Sequence, residues 1–291
     1  MTDLLQLVLS GMATGSIYAL AGLGFTLLWQ ASGTINFAQG EFVMLPAFVM
    51  LAFAAMKLPL LVAFVLTCAV AVLVLGWGFK RAVVDPLLRF GLMPIVVATI
   101  GLAIALRSGV RAGYSAEAQA FPSLFADKLF TVAGVNVTLA DLGTLAVALA
   151  LVFATQAFLT RTVTGRAMQA VAQNAESARV LGIDVPRMIL YTFAINAALA
   201  CAAALLVTPT YLAKFDMGEP LGMKAFFAAI IGGFNNSRGP IVGGLIVGVA
   251  ENLASAYISP AYKDAVALVL FMAVILLRPQ GLLGRTEERK V

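Results

Sequence analysis

Long apolar runs separated by short polar turns set the pattern of this chain. Candidate membrane segments fall at 4–28, 36–54, 58–78, 93–107, 138–159, 188–208, 221–234, 239–257 and 261–277, of which 221–234 is short for a full span. A spanning helix needs about 20 mostly apolar residues. Backbone groups in lipid must find partners inside the element, which favours helices. The runs are too long and continuous for the alternating strands of an outer-membrane barrel. The pattern predicts an all-α fold, a polytopic transmembrane helical bundle of about 8–9 segments with some broken or short helices. It is read as one domain over 1–291. The first run follows Met1-Thr2-Asp3 directly, with no basic region or small-residue cleavage site, and so reads as a retained span.

Composition supports this reading. The chain is 62% hydrophobic and 11% charged, with a mean hydropathy of +0.99, whereas soluble domains are about 25% charged. Cys68 and Cys201 both lie inside apolar runs, where core packing is expected and a disulfide framework is not. The net charge of +5 needs no nucleic acid to explain it, because basic loops orient membrane proteins.

Placing the polar stretch 160–187 in the cytoplasm fixes the other loops by alternation. The inner side then holds Lys80, Arg81, Arg89, Arg161, Arg166, Arg179, Arg187, Arg238, Arg278, Arg285, Arg289 and Lys290, which is 12 of the 19 basic residues. This follows the positive-inside rule, with the N-terminus outside and the C-terminus cytoplasmic. The longest outer connection, 108–137, could carry a short surface helix.

Two breaks interrupt the apolar pattern. Between Leu4 and Met56 the one charge is Glu41, and the turn from Trp29 to Asn36 has no Lys or Arg. Asn36 followed by Gln39 fits an N-cap with a capping-box partner. A helix would then begin within or near the membrane, as in the broken helices that line transporter pathways. An ordinary capped turn is the alternative. The second break, Ile231 to Pro240, joins apolar segments through Gly and Asn and hints weakly at an internal repeat. Gly11, Gly15 and Gly22 share one helical face, and Gly244, Gly248 and Glu251 share another, so Glu251 should face protein or a cavity. An intramembrane carboxylate marks a functional candidate, with a hydrogen-bonded structural role as the alternative for Glu251 and Glu41. Asn196 either lines a path or bonds a neighbouring helix.

The 160–187 stretch suggests two short helices, Gly165 to Gln173 and Ala175 to Leu181. Asn174 caps the second, Gly182 ends it, and Asp184 with Pro186 opens the next membrane helix. A docking surface for a soluble partner and an amphipathic helix lying on lipid headgroups both fit.

Histidine is absent, which excludes His-based acid–base chemistry and His metal sites. There is no phosphate-binding G-x-x-x-x-G-K-[ST] loop, no C-x-x-C and no H-E-x-x-H. Few acids within the spans argue against an ion-coupled carrier, and no cluster of acids or metal-ligand spacing supports a membrane enzyme. An energy source on another chain fits these absences. A stand-alone channel or secondary carrier is the main rival.

Several stretches in order resemble one family. These are GSIYALAGLGFTLLWQASGTINFAQGEFVML, PIVVATIGLAIAL, GRAMQAVAQNAESARVLGIDVPRMILYTFAINAALA, AFFAAIIGGFNNSRGPIVGGLIVGVAEN and RPQGLLG. Together they resemble the LivH-type permease subunit of bacterial branched-chain amino acid ABC importers, over about residues 7–285. Two positions depart from that pattern: Gln39, where histidine is common, and Asn235-Asn236, where glycine and a small residue are common. The first bears on substrate choice.

The resemblance implies an inner-membrane importer subunit with no catalytic, metal or cofactor site of its own. ATP and Mg would act on partner chains. It also implies a homologous second permease subunit, two cytoplasmic ATPase subunits and an extracytoplasmic substrate-binding protein. Gly165, Arg166, Ala170, Asn174, Glu176, Ala178, Leu181 and Gly182 would contact the ATPase. Asn36, Gln39, Glu41, Thr99, Asn196 and Glu251 would line the path, in an alternating-access cycle for branched-chain amino acids or related small carboxylate or amide solutes.

Overall fold

The structure is a computed structural model and describes residues 2–114, 117–123, 125, 128–132 and 135–284. Among the described residues, seven helical stretches are long and apolar enough to cross a membrane: Asp3–Ser32, Leu60–Leu88, Leu92–Gly113, Leu139–Arg161, Val185–Tyr211, Gly239–Tyr257 and Pro260–Leu277. A shorter apolar helix, Gln39–Ala55, adds to them. The chain is thus a polytopic helical membrane protein.

In chain order the helices are α1 (Thr2–Ser32), α2 (Gln39–Ala55), α3 (Leu60–Ala71), α4 (Asp85–Leu88), α5 (Leu92–Gly113), α6 (Leu139–Arg161), α7 (Val163–Gln173), α8 (Ala175–Val180), α9 (Val185–Tyr211), α10 (Gly218–Gly232), α11 (Gly239–Tyr257) and α12 (Lys263–Leu277). Between α3 and α4 the same span continues in wider π-helical turns, Val72–Gly78 and Lys80–Val84. Strands β1 (Leu129–Val132) and β2 (Val135–Thr138) pair antiparallel ahead of α6. The connection between α5 and α6 therefore carries a two-stranded ribbon where a short surface helix was expected, and no helix lies between Tyr114 and Leu139 among the described residues. Its alternating Leu129-Phe-Thr-Val and Val135-Asn-Val-Thr suit a pleat better than a helix.

The contacts gather into two units. The first comprises residues 1–26, 125–152 and 224–291. Its centre is a close helix crossing: a Cβ on Gly11 would meet the backbone at Gly248 and Val249, and one on Gly15 would meet Gly244 and Leu245. These glycines let α1 and α11 approach backbone to backbone. Phe226 packs edge-on against Phe25 and Phe234, and Phe227 stacks on Phe271 of α12 at 4.6 Å between centroids. The turn after α10 needs Gly233, at φ 112°, and is closed by Leu282 and Leu283, whose N–H groups donate to Ile231 and Gly232. Asn236 accepts from the Arg238 N–H and donates to the Leu283 carbonyl, so this break is a tied turn.

The second unit comprises residues 27–124 and 153–223. Its core helix is α9, buried along most of its length, against which the π-helical segment lies with Gly76 on the Ala194 backbone. Phe79 bridges Phe42 of α2 and Phe193 of α9, with centroids 5.1 and 5.8 Å away. Cys68 and Cys201 meet here as free thiols, Sγ to Sγ 3.2 Å; Cys201 is buried in the core as its apolar run predicted, and Cys68 is half-buried.

The 160–187 stretch folds as two capped helices. Thr162 accepts from the Gly165 N–H at α7, Asn174 from Ser177 at α8, and Asp184 from Arg187 at α9. Gly182 adopts φ 81°, the left-handed conformation that ends a helix with least strain on a residue lacking Cβ.

Candidate functional site

Five of the polar residues picked from the sequence converge in the second unit, all at most 4% exposed: Asn36, Gln39, Glu41, Thr99 and Asn196. The turn Gly33–Ala38 carries the chain from α1 into α2. Asn36 does not cap α2. Its Oδ1 accepts from the Ala38 N–H at 3.0 Å, forming a side-chain turn ahead of the helix, while the N-cap position is Ala38 with no side-chain bond. Gln39 does not fold back as a capping-box partner either. The reason is tertiary: its amide finds a better partner on α9. Gln39 Nε2 donates to Asn196 Oδ1 at 2.8 Å, and Asn196 Nδ2 donates to Gln39 Oε1 at 3.0 Å. Thr99 holds the same turn from α5, accepting the Phe37 N–H at 3.2 Å. Asn36 Nδ2 is buried with no hydrogen-bond partner among the described residues.

Glu41 belongs to an ion cluster that the sequence reading missed in part. Arg107 of α5 donates through Nη2 and Nε to Glu41 Oε1, at 2.9 and 3.3 Å, and through Nη1 to Glu219 Oε2 at 2.7 Å. One guanidinium thus bridges two carboxylates. Their arrangement follows from a helix-start repeat: Phe37-Ala-Gln-Gly-Glu41 opens α2 and Phe215-Asp-Met-Gly-Glu219 opens α10. At the two starts the backbones touch. A Cβ on Gly218 would fall 2.6 Å from the Gly40 carbonyl oxygen, and one on Gly222 would fall 2.8 Å from Gly40 Cα. Neither Arg107 nor Glu219 stood out from its apolar context, although the F-x-x-G-E recurrence was readable.

Glu251 lies in the other unit, fully buried as its small-residue stripe predicted, with partners of its own. Tyr18 donates to Oε2 at 3.0 Å, and Lys224 Nζ lies 3.1 Å from Oε1. Lys263 stands 3.7 Å from Oε2, and Lys224 also reaches Asp264 at 2.8 Å. This cluster ties α1, α10, α11 and the start of α12 together.

In the 160–187 stretch, Arg166, Asn174, Glu176, Leu181 and Gly182 are exposed, Ala170 is half-buried, and Gly165 and Ala178 are buried. A Cβ on Gly165 would strike the Phe158 carbonyl and Leu159, so its smallness seats α7 against the end of α6. The outward surface is apolar at Val163, Val180 and Leu181, which are 77%, 84% and 78% exposed. No group of three or more metal-binding side chains occurs among the described residues.

Comparison with known proteins covers nearly the whole chain. The model of the branched-chain amino acid transport system permease component family matches residues 7–275. The high-affinity branched-chain amino acid transport system permease protein LivH of Escherichia coli K12 is 35% identical over 301 aligned residues, spanning 99% of this chain and 97% of its own. BraD of Pseudomonas aeruginosa, described in the same terms, is 32% identical over 99% and 98%. A probable LivH of Methanocaldococcus jannaschii is 27% identical over 96% and 92%. No solved structure matches significantly. Seven apolar spans, a tied polar turn inside the apolar pattern and this end-to-end likeness agree: the chain belongs to the permease component family of branched-chain amino acid transport systems.

Proposed function

We propose that this chain is the membrane-spanning permease subunit of an ATP-driven importer of branched-chain amino acids or related small carboxylate or amide solutes. It works with a homologous second permease subunit, two cytoplasmic ATPase subunits and an extracytoplasmic binding protein, in the inner membrane, with its N-terminus outside and C-terminus inside. The full chain acts as one permease domain. ATP and Mg are used on the partner subunits, and this chain performs no covalent chemistry.

The observation that carries this reading is the loop from Thr160 to Arg187. Its two helices are fixed by the side-chain caps Thr162 and Asn174, yet the loop leaves Val163, Val180 and Leu181 exposed, with Arg166 and Arg179 close in sequence. An ordered apolar patch rimmed by charge suits a protein groove. In alternating access, closure of the ATPases moves this loop, and the loop passes the movement through α9 to Asn196 and the α2 turn. A solute shifts the equilibrium only through better binding to one state.

The test is uptake by cells carrying the complete system. Leu181→Asp places a charge on the patch without touching the core. It should abolish uptake while the chain inserts at normal levels. Normal uptake in Leu181→Asp would remove the docking role of the loop.

A further inference from the structure

We propose that Arg107, Glu219 and Glu41 form the binding site for the zwitterionic head of an α-amino acid. Arg107 takes the α-carboxylate, Glu219 takes the α-ammonium, and Glu41 holds Arg107 in place. This rests on the transport reading above and names the chemistry by which the pathway recognises its solute.

The two carboxylates on Arg107 are unequal. Glu41 is 2% exposed and takes two of the guanidinium donors on one oxygen. Glu219 has a side chain 58% exposed and takes the remaining edge through Nη1. Glu41 is therefore the fixed partner and Glu219 the exchangeable one. Releasing Glu219 frees one cationic edge and one carboxylate, side by side at the start of α10.

A zwitterion supplies one charge of each sign to that pair, so every charge is matched before and after the exchange. A solute with a carboxylate alone would leave Glu219 without a cation beside two other negative groups. A solute with an ammonium alone would leave it facing Arg107. Both mismatches are penalised in a partly dehydrated site. The same unit also holds a buried donor with no acceptor among the described residues, Asn36 Nδ2, three residues before α2.

The test uses the full-length chain with its co-purifying subunits in nanodiscs, without binding protein. Saturation-transfer NMR reads binding of L-leucine, 4-methylpentanoate and 3-methylbutylamine, which share the apolar tail and differ in the head. L-leucine should bind saturably and each single-charge analogue about tenfold or more weakly, as for a site built on paired polar contacts. Glu219→Gln, isosteric and at an exposed position, should weaken L-leucine about tenfold and erase most of its advantage over 4-methylpentanoate. Arg107→Lys, which keeps the charge but loses the fork, should weaken L-leucine as well. The proposal is overturned if wild type shows no saturable L-leucine binding, if 4-methylpentanoate binds equally well, or if Glu219→Gln binds L-leucine normally. The transport reading fails by a different result, the absence of ATPase subunits and of ATP-dependent uptake.

Discussion

The side-chain amides of Gln39 and Asn196 hydrogen-bond each other in both directions, at 2.8 and 3.0 Å, across 157 residues of sequence. Both are buried. Changing either one to Leu removes two buried hydrogen bonds and should destabilise the chain by about 1–3 kcal/mol. The double change should cost less than the two single changes added together. A thermal-unfolding double-mutant cycle in detergent measures this coupling, and additive losses would show that the pair is not energetically linked.

The start of α2 depends on close backbone contact with α10. Gly40→Ala forces a methyl group into the Gly218 backbone, and Gly218→Ala does the reverse. Neither neighbour can move as a flexible side chain could, so both variants should lower folded yield sharply. Gly101→Ala, with nothing within 4 Å of the new methyl, should be neutral or stabilise by up to about 1 kcal/mol. Size-exclusion profiles of the three variants separate these outcomes.

Lys224 is the cation on which buried Glu251 depends most. Lys224→Met leaves that carboxylate with Tyr18 and the more distant Lys263, and should cost about 3 kcal/mol as a broken buried pair. Asp264→Asn removes a carboxylate from the same lysine at an exposed position and should cost about 1 kcal/mol or less. Comparing melting temperatures of the two variants tests the ranking, and equal shifts would contradict a structural role for the Lys224–Glu251 pair.

Gly165 is buried where α7 turns against α6, so its role differs from that of exposed Leu181. Gly165→Ala should tilt α7 and uncouple ATP hydrolysis from uptake while insertion stays normal. ATPase and uptake rates measured on the same vesicles would show this as hydrolysis retained with uptake lost. Coupled rates at wild-type level would show that the seat of α7 tolerates a methyl group.

The helical architecture was legible because spans must be apolar over their whole length, and the loop caps at Asn174 and Asp184 were legible because capping is local. The capping pattern at Asn36 and Gln39 was misread for the opposite reason. A local capping pattern competed with a partner on α9, and only the tertiary arrangement decides that contest. Buried Glu41 was visible as an isolated charge. Its cation was not, since nothing in the apolar stretch around Arg107 indicates which helix start it meets. The ribbon at 129–138 was missed because four-residue alternation is a weak signal beside long apolar helices.

The most direct measurement of the central claim is isolation of the tagged chain from its own membranes in mild detergent, with mass spectrometry of what accompanies it. Stoichiometric recovery of a second permease and of ATPase subunits, with the ATPase subunits lost in Leu181→Asp, is the result expected of an importer subunit. A chain that purifies alone with its loop intact, and still passes solute in vesicles without ATP, would contradict it and favour a stand-alone channel or carrier.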